Sequence, residues 1–206
     1  MTMFRTLAAV AAGTAVLATA SADAAIVDVS TTADTVTVGE TFEVRIAFSA
    51  ETMEEFLFDA SFDLAYDEEL FSFVGADFAD GTTDQNQLAL NGVDGFFDAF
   101  VDTPGDLSVT AASGNTFETL QDEQADDFTI VTLTFEALME GTGDLGFGAI
   151  TDFLFSNDTD FQNAPFLNAD ILDGSVMVTV APIPLPGAAV FLLTGAAGLV
   201  ARRRFG

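Results

Sequence analysis

The only side chains in this sequence equipped for acid–base or metal chemistry are carboxylates. Histidine, cysteine and tryptophan are absent, and all five basic residues are arginines. Histidine-dependent triads, thiol nucleophiles, Schiff-base lysines and histidine or cysteine metal ligands are thereby excluded. What remains is 33 Asp and Glu residues, enough for two kinds of chemistry. Two carboxyls at a suitable separation, one raised in pKa by burial, hydrolyse glycosidic bonds. Carboxylates together with backbone carbonyls in a loop hold calcium. The densest run, Asp122, Glu123, Asp126 and Asp127, carries no specificity for catalysis in so acidic a chain and reads as a solvated loop. Glycan clefts also use Trp or Tyr platforms, and Tyr66 is the single residue of either type. The calcium candidates are Asn157, Asp158 and Asp160, with Asp80 and Asp84 as a second group. Neither has the spacing or the closing Glu of an EF-hand loop. Asn157-Asp158-Thr159 also spells a glycosylation sequon. The expectation is no catalytic residue and no cofactor, calcium being the one candidate ligand.

The elements that must position such groups read as strands. From Thr41 to Phe48 the residues Phe42, Val44, Ile46 and Phe48 alternate with Thr41, Glu43, Arg45 and Ala47, a period of two that turns one face inward. Phe56, Phe58, Ala60, Phe62 and Leu64 repeat the pattern against Glu55, Asp59, Ser61 and Asp63. Further strands are predicted around Leu70 to Val74, Leu107 and Val109, Phe128 to Phe135, Leu145 to Ile150 and Val176 to Val180, with shorter ones at Ile26 to Val29 and Val36 to Val38. Many short strands with turn signals between them, and no long amphipathic helix, predict a two-sheet sandwich whose main core filler is phenylalanine. The stretches Gly75 to Phe100 and Thr119 to Asp127 read as surface loops, where binding residues concentrate.

Both ends carry addressing signals. Met1 to Arg5 is a short basic region, Leu7 to Ala18 is apolar, and Ala20, Ala22 and Ala24 offer small-residue cleavage sites, the pattern of a secretory signal peptide over 1–24. A retained N-terminal anchor is the alternative. At the other end, Pro182, Pro184 and Pro186 precede an apolar run from Gly187 to Ala201 and the basic stop Arg202, Arg203, Arg204. Prolines hold the chain extended. At ~1.5 Å rise the run reaches roughly 22 Å against a ~30 Å hydrocarbon core, so it spans as a short helix with help from Ile183 and Leu185. The arginines would stay cytoplasmic and the preceding chain outside. Residues 25–181 then form one exported domain. Of all the acids only Asp23 lies outside that domain, and of all the bases only Arg45 lies inside it. Such a surface repels nucleic acid and anionic headgroups and suits salt water, divalent cations or a basic protein.

Four segments in order resemble the cohesin-like domains of bacterial surface and secreted proteins: Val38-Gly39-Glu40-Thr41-Phe42-Glu43-Val44, the run from Phe58 through Tyr66-Asp67 to Val74, Ile130 to Ala137, and Gly141 to Phe147. The resemblance covers most of residues 26–180 and implies an all-β, two-sheet jelly-roll β-sandwich. It transfers no partner-contacting residue, because the matching positions are core and turn positions. The tail, Ala181-Pro182-Ile183-Pro184-Leu185-Pro186-Gly187 followed by the apolar run and three arginines, resembles PEP-CTERM sorting signals in the Pro-Leu-Pro variant, with Leu185 where a glutamate would stand. That resemblance implies recognition by an exosortase-type membrane enzyme through Pro182, Pro184, Leu185, Pro186 and Arg202 to Arg204, transient anchoring of 182–206 in the inner membrane, and removal. The expected protein is exported, non-enzymatic and structural or adhesive, with an extracellular polysaccharide or another surface protein as partner and no nucleic acid. A carboxylate-dependent glycan-active enzyme and a permanently anchored surface protein are the competing readings.

Overall fold

The computed structural model describes residues 25–52, 54–79, 85–156 and 167–184. The expected signal peptide at 1–24, the tail residues Leu185, Pro186 and Arg202 to Arg204, and the calcium candidates Asn157, Asp158, Asp160, Asp80 and Asp84 lie outside them. The described strands are β1 (Ile26–Thr31), β2 (Thr35–Thr37), β3 (Thr41–Ser49), β4 (Phe56–Tyr66), β5 (Phe71–Asp77), β6 (Phe96–Thr103), β7 (Asp106–Ala112), β8 (Asp127–Ala137), β9 (Gly141–Ser156), β10 (Leu167–Asn168), β11 (Asp170–Ile171) and β12 (Ser175–Ala181). Among the described residues one short α-helix, α1 (Phe117–Glu123), and a 3-10 turn at Leu90–Gly92 join them. Among the described residues no helix is long and apolar enough to cross a membrane.

The strands form two sheets. The smaller runs β11-β1-β3-β8-β5; the larger runs β2-β12-β9-β4-β7-β6, with β10 on β9. Pairing is antiparallel except β1 with β11 and β2 with β12. The chain therefore changes sheets between β1 and β2, which ties the layers together at that side. The alternation read in β3 is realised: Phe42, Val44, Ile46 and Phe48 are buried, while Thr41 and Arg45 are exposed. In β4 the same period buries Ala60, Phe62 and Leu64 and turns Asp59, Ser61 and Asp63 outward.

Phenylalanines fill the space between the sheets, as the composition predicts. Phe135 of β8 meets Phe42, Tyr66 and Phe73 at ring-centroid distances of 5.9, 5.2 and 5.8 Å. Phe62 meets Phe147 and Phe153 at 5.3 Å each. Each buried ring contributes about 1.5–3 kcal/mol by leaving water, and edge-to-face pairs add about 0.5–1.5 kcal/mol. With no disulfide available, this packing must offset the chain's conformational entropy.

Two expected loops are partly regular structure. The stretch 75–100 ends in β6, and β5 continues through Gly75 by a register shift between Phe73 and Gly75. The stretch 119–127 contains most of α1. Its start is capped by Thr116, whose hydroxyl accepts from the Thr119 N–H at 3.3 Å. Leu120 is fully buried with Phe56 and Leu90, and Phe58 and Phe117 pack on them, a second small core. Gln124 fastens this unit to β4: its Oε1 accepts from Leu57 N at 2.7 Å, and its Nε2 donates to the Leu57 and Gln87 carbonyls at 2.9 and 3.1 Å. Propensity alone misreads α1 because apolar contacts, and not its Asp- and Glu-rich composition, hold it.

Candidate interaction face

Strand register carries the outward residues of the larger sheet into rows. Asp98 of β6 lies beside Thr110 of β7, Thr110 beside Ser61 of β4, and Ser61 beside Asp152 of β9. On one side of this row run Phe96, Ala112, Asp59 and Leu154; on the other run Phe100, Ser108 and Asp63. The face is thus a polar, acidic centre with two phenylalanines at its β6 margin. Phe96 is 60% exposed and Phe100 is 49% exposed. In a chain that buries most large apolar groups between its sheets, exposed aromatics on one strand face mark a surface with work to do.

Hydrogen bonds fix the central carboxylates. Ser61 Oγ donates to Asp59 Oδ1 at 3.1 Å. The Ile150 N–H donates to Asp63 Oδ2 at 3.3 Å across the register shift where β9 bulges against β4. Burial holds the Asp59 carboxyl above the usual carboxylate range, the Ser61 hydrogen bond pulls it partly back, and the negative charge of Asp152 raises it further. Among the described residues no basic side chain relieves this repulsion: Arg45 sits on the smaller sheet, paired with Glu43 Oε2 at 3.0 Å.

The β6–β7 hairpin aims the aromatic margin. It turns through Pro104 and Gly105, where Gly105 has φ of +83°, the pattern of a type II turn. A Cβ on Gly105 would stand 2.9 Å from the Tyr66 carbonyl oxygen, so glycine is required by space as well as by conformation. At this same end of the strands, Ala65, Tyr66, Asp144, Gly146, Phe147 and Ser175 line an open hollow of about 320 Å³.

The carboxylates singled out in the sequence do not form this face. Asp122 and Glu123 lie on α1, where Glu123 accepts from Asn91 Nδ2 at 2.7 Å, and Asp126 and Asp127 lead into β8. Among the described residues no group of three or more Asp or Glu is arranged to hold a metal ion. Pro182 and Pro184 are exposed and follow directly on Ala181, whose carbonyl accepts from Val38 N at 3.1 Å. The signal for Asp59, Ser61 and Asp63 was present, since they occupy the polar positions of the β4 alternation. Phe96 and Phe100 gave none, lying in a run dense in Asp, Gly and Asn.

Solved structures similar to this chain in fold include cohesin modules. The chain is similar to the seventh ScaB type I cohesin from Pseudobacteroides cellulosolvens, with a TM-score of 0.57 and 17% identity, covering 79% of this chain and 96% of that one. It is similar to a type II cohesin domain from the cellulosome of Acetivibrio cellulolyticus, with a TM-score of 0.56 and 15% identity over 75% of this chain and 95% of that one. The sixth cohesin of scaffoldin B from Acetivibrio cellulolyticus, solved in complex with a Cel5 dockerin mutant, matches with a TM-score of 0.52 and 13% identity over 77% of this chain and 99% of that one. No protein-family sequence model matches the chain, and neither does any curated protein sequence. The described strands therefore have the cohesin fold, an all-β sandwich of two sheets.

Proposed function

We propose that this chain is an exported, non-enzymatic binding module that presents the outer face of β6, β7, β4 and β9 to another protein at the cell surface. The observation that carries the reading is the arrangement of exposed Phe96 and Phe100 beside the acidic row Asp98, Thr110, Ser61 and Asp152. Aromatic anchors next to uncompensated carboxylates fit a partner surface that offers apolar and basic side chains together. The solved cohesin in complex with a dockerin lends support, as a protein of this fold with a protein partner. The face is the outer surface of a sheet, which suits docking better than hydrolysis.

Export and sorting belong to the same proposal. A signal peptide over 1–24 delivers the acidic domain, and the 182–206 tail holds it at the inner membrane until an exosortase-type enzyme cuts near Pro182 to Pro186. The domain then remains at the cell surface or in the extracellular matrix.

Three measurements test this. Cross-linking on intact cells should capture a protein with the wild-type chain and lose it with Asp59→Arg/Asp152→Arg, while Glu43→Arg on the other sheet retains it. Equal capture by all three would refute the face. Intact mass of the mature protein should lack residues 187–206; their presence would favour permanent anchoring. Release of reducing ends from a glycan, abolished by Asp59→Asn, would instead establish the enzyme reading.

A further inference from the structure

Among the described strands each sheet has two edges, and three of the four are short or irregular. In the smaller sheet, β11 is two residues long and β5 has a shifted register at Gly75. In the larger sheet, β2 is three residues long. The fourth edge is β6, eight residues, free of proline and lysine, with its register irregular only at its end between Val101 and Thr103. Its only strand partner among the described residues is β7. In an antiparallel strand, alternate residues point both N–H and C=O to the same side, so about four residues of β6 offer main-chain bonds outward. Phe96, Phe100 and Val101 are exposed along it. A long edge that exposes apolar side chains is a template for strand pairing, and here only the two aspartates guard it.

Charge decides what pairs there. β6 carries Asp98 and Asp102, and Asp94 and Asp106 flank it. Two copies aligned antiparallel about Phe100 would oppose Asp98 to Asp102, and aligned about Asp98 would oppose it to itself. Only alignment about Ala99 sets each Asp against a Phe, and it still brings together two chains of net charge −28. Like charges directly opposite destabilise strand pairs, whereas opposite charges stabilise them. We propose that the free edge of β6 takes an extended segment of a partner protein, alternating basic and apolar residues, as an added strand. This edge borders the proposed face and shares Phe96, Asp98 and Phe100 of β6 with it, but its occupant is held by main-chain hydrogen bonds.

The test titrates the full chain, in detergent at physiological ionic strength, with a fluorescent peptide of alternating Lys and Val. Saturable binding is expected. Methylating alternate peptide nitrogens keeps the charge but removes main-chain bonds, and should weaken binding about tenfold or more; equal binding would mean charge attraction alone and overturn the proposal. A Glu-Val peptide should not bind. Asp98→Lys/Asp102→Lys should lose the Lys-Val peptide with its urea midpoint unchanged, while Asp59→Arg/Asp152→Arg should keep it. The reverse pattern would overturn strand addition and leave the face. A concentration-dependent dimer that the peptide dissociates would make a second copy the occupant, also against the proposal.

Discussion

Ser61 Oγ donates to Asp59 Oδ1 at 3.1 Å, yet the Asp59 carboxyl still lies above the usual carboxylate range, because partial burial and the charge of Asp152 outweigh that bond. A carboxyl raised on folding holds its proton more tightly in the native state than in the unfolded one. Its contribution to stability is complete below the unfolded value of about 3.8 and is lost as pH rises through the folded value. Asp59→Asn keeps the acceptor for Ser61 and removes the charge. At pH 7 the variant should be more stable by up to about 0.5 kcal/mol, and near pH 3 the difference should vanish. Urea unfolding at both pH values checks this. A partner bearing arginine or lysine at the same place would relieve the repulsion, so binding should weaken as pH falls through the Asp59 titration.

Gly105 sets the position of the aromatic margin. Gly105→Ala places a side chain in the left-handed region and against the Tyr66 carbonyl, 2.9 Å away. A loss of about 1–3 kcal/mol in urea unfolding is expected. Because the strain falls on the β6–β7 hairpin, binding at the face should fall by more than the fraction unfolded accounts for.

These two cases also show what the sequence discloses and what it withholds. β3 and β4 are legible because their alternation is a local property: Phe42, Val44, Ile46 and Phe48 face inward whatever lies beside them. The cohesin-like resemblance rests on such positions and was met by the fold of the solved cohesins. β6 is illegible because its status depends on β7 across the hairpin; Phe96 and Phe100 look like loop residues until Ala112 and Ser108 stand next to them. The face is non-local in the same way, since Asp59 and Asp152 are brought together only when β9 pairs with β4. α1 depends on burial of Leu120 under Phe56, a contact that no window of sequence contains.

Gln124 closes a polar gap that apolar packing cannot. Its amide pairs with both the N–H and the C=O of fully buried Leu57. Gln124→Ala leaves both groups without their side-chain partner, at a cost of about 1–3 kcal/mol. Hydrogen exchange should show α1 and the start of β4 losing protection together, with β3 and β8 unchanged.

The last strand bears on tail processing. β12 pairs with β9 from Ser175 to Val180 and with β2 from Thr179 to Ala181, and it buries Val178 and Val180. Its final main-chain bond is Val38 N to the Ala181 carbonyl, and Pro182, Ile183 and Pro184 beyond it are exposed. A cut on the tail side of Pro184 leaves every one of these contacts in place. A chain of residues 25–184 should therefore unfold at the same urea concentration as residues 25–206 in detergent. A chain of residues 25–174 loses β12, uncovers β9 and leaves β2 without its partner. With two buried valines removed, at about 1.5–3 kcal/mol each, and the six-residue ladder to β9 gone, it should fail to fold cooperatively. Circular dichroism with urea titration separates the three. Destabilisation of the 25–184 chain would mean that the tail contributes to the fold, and processing at the prolines would then weaken the displayed domain.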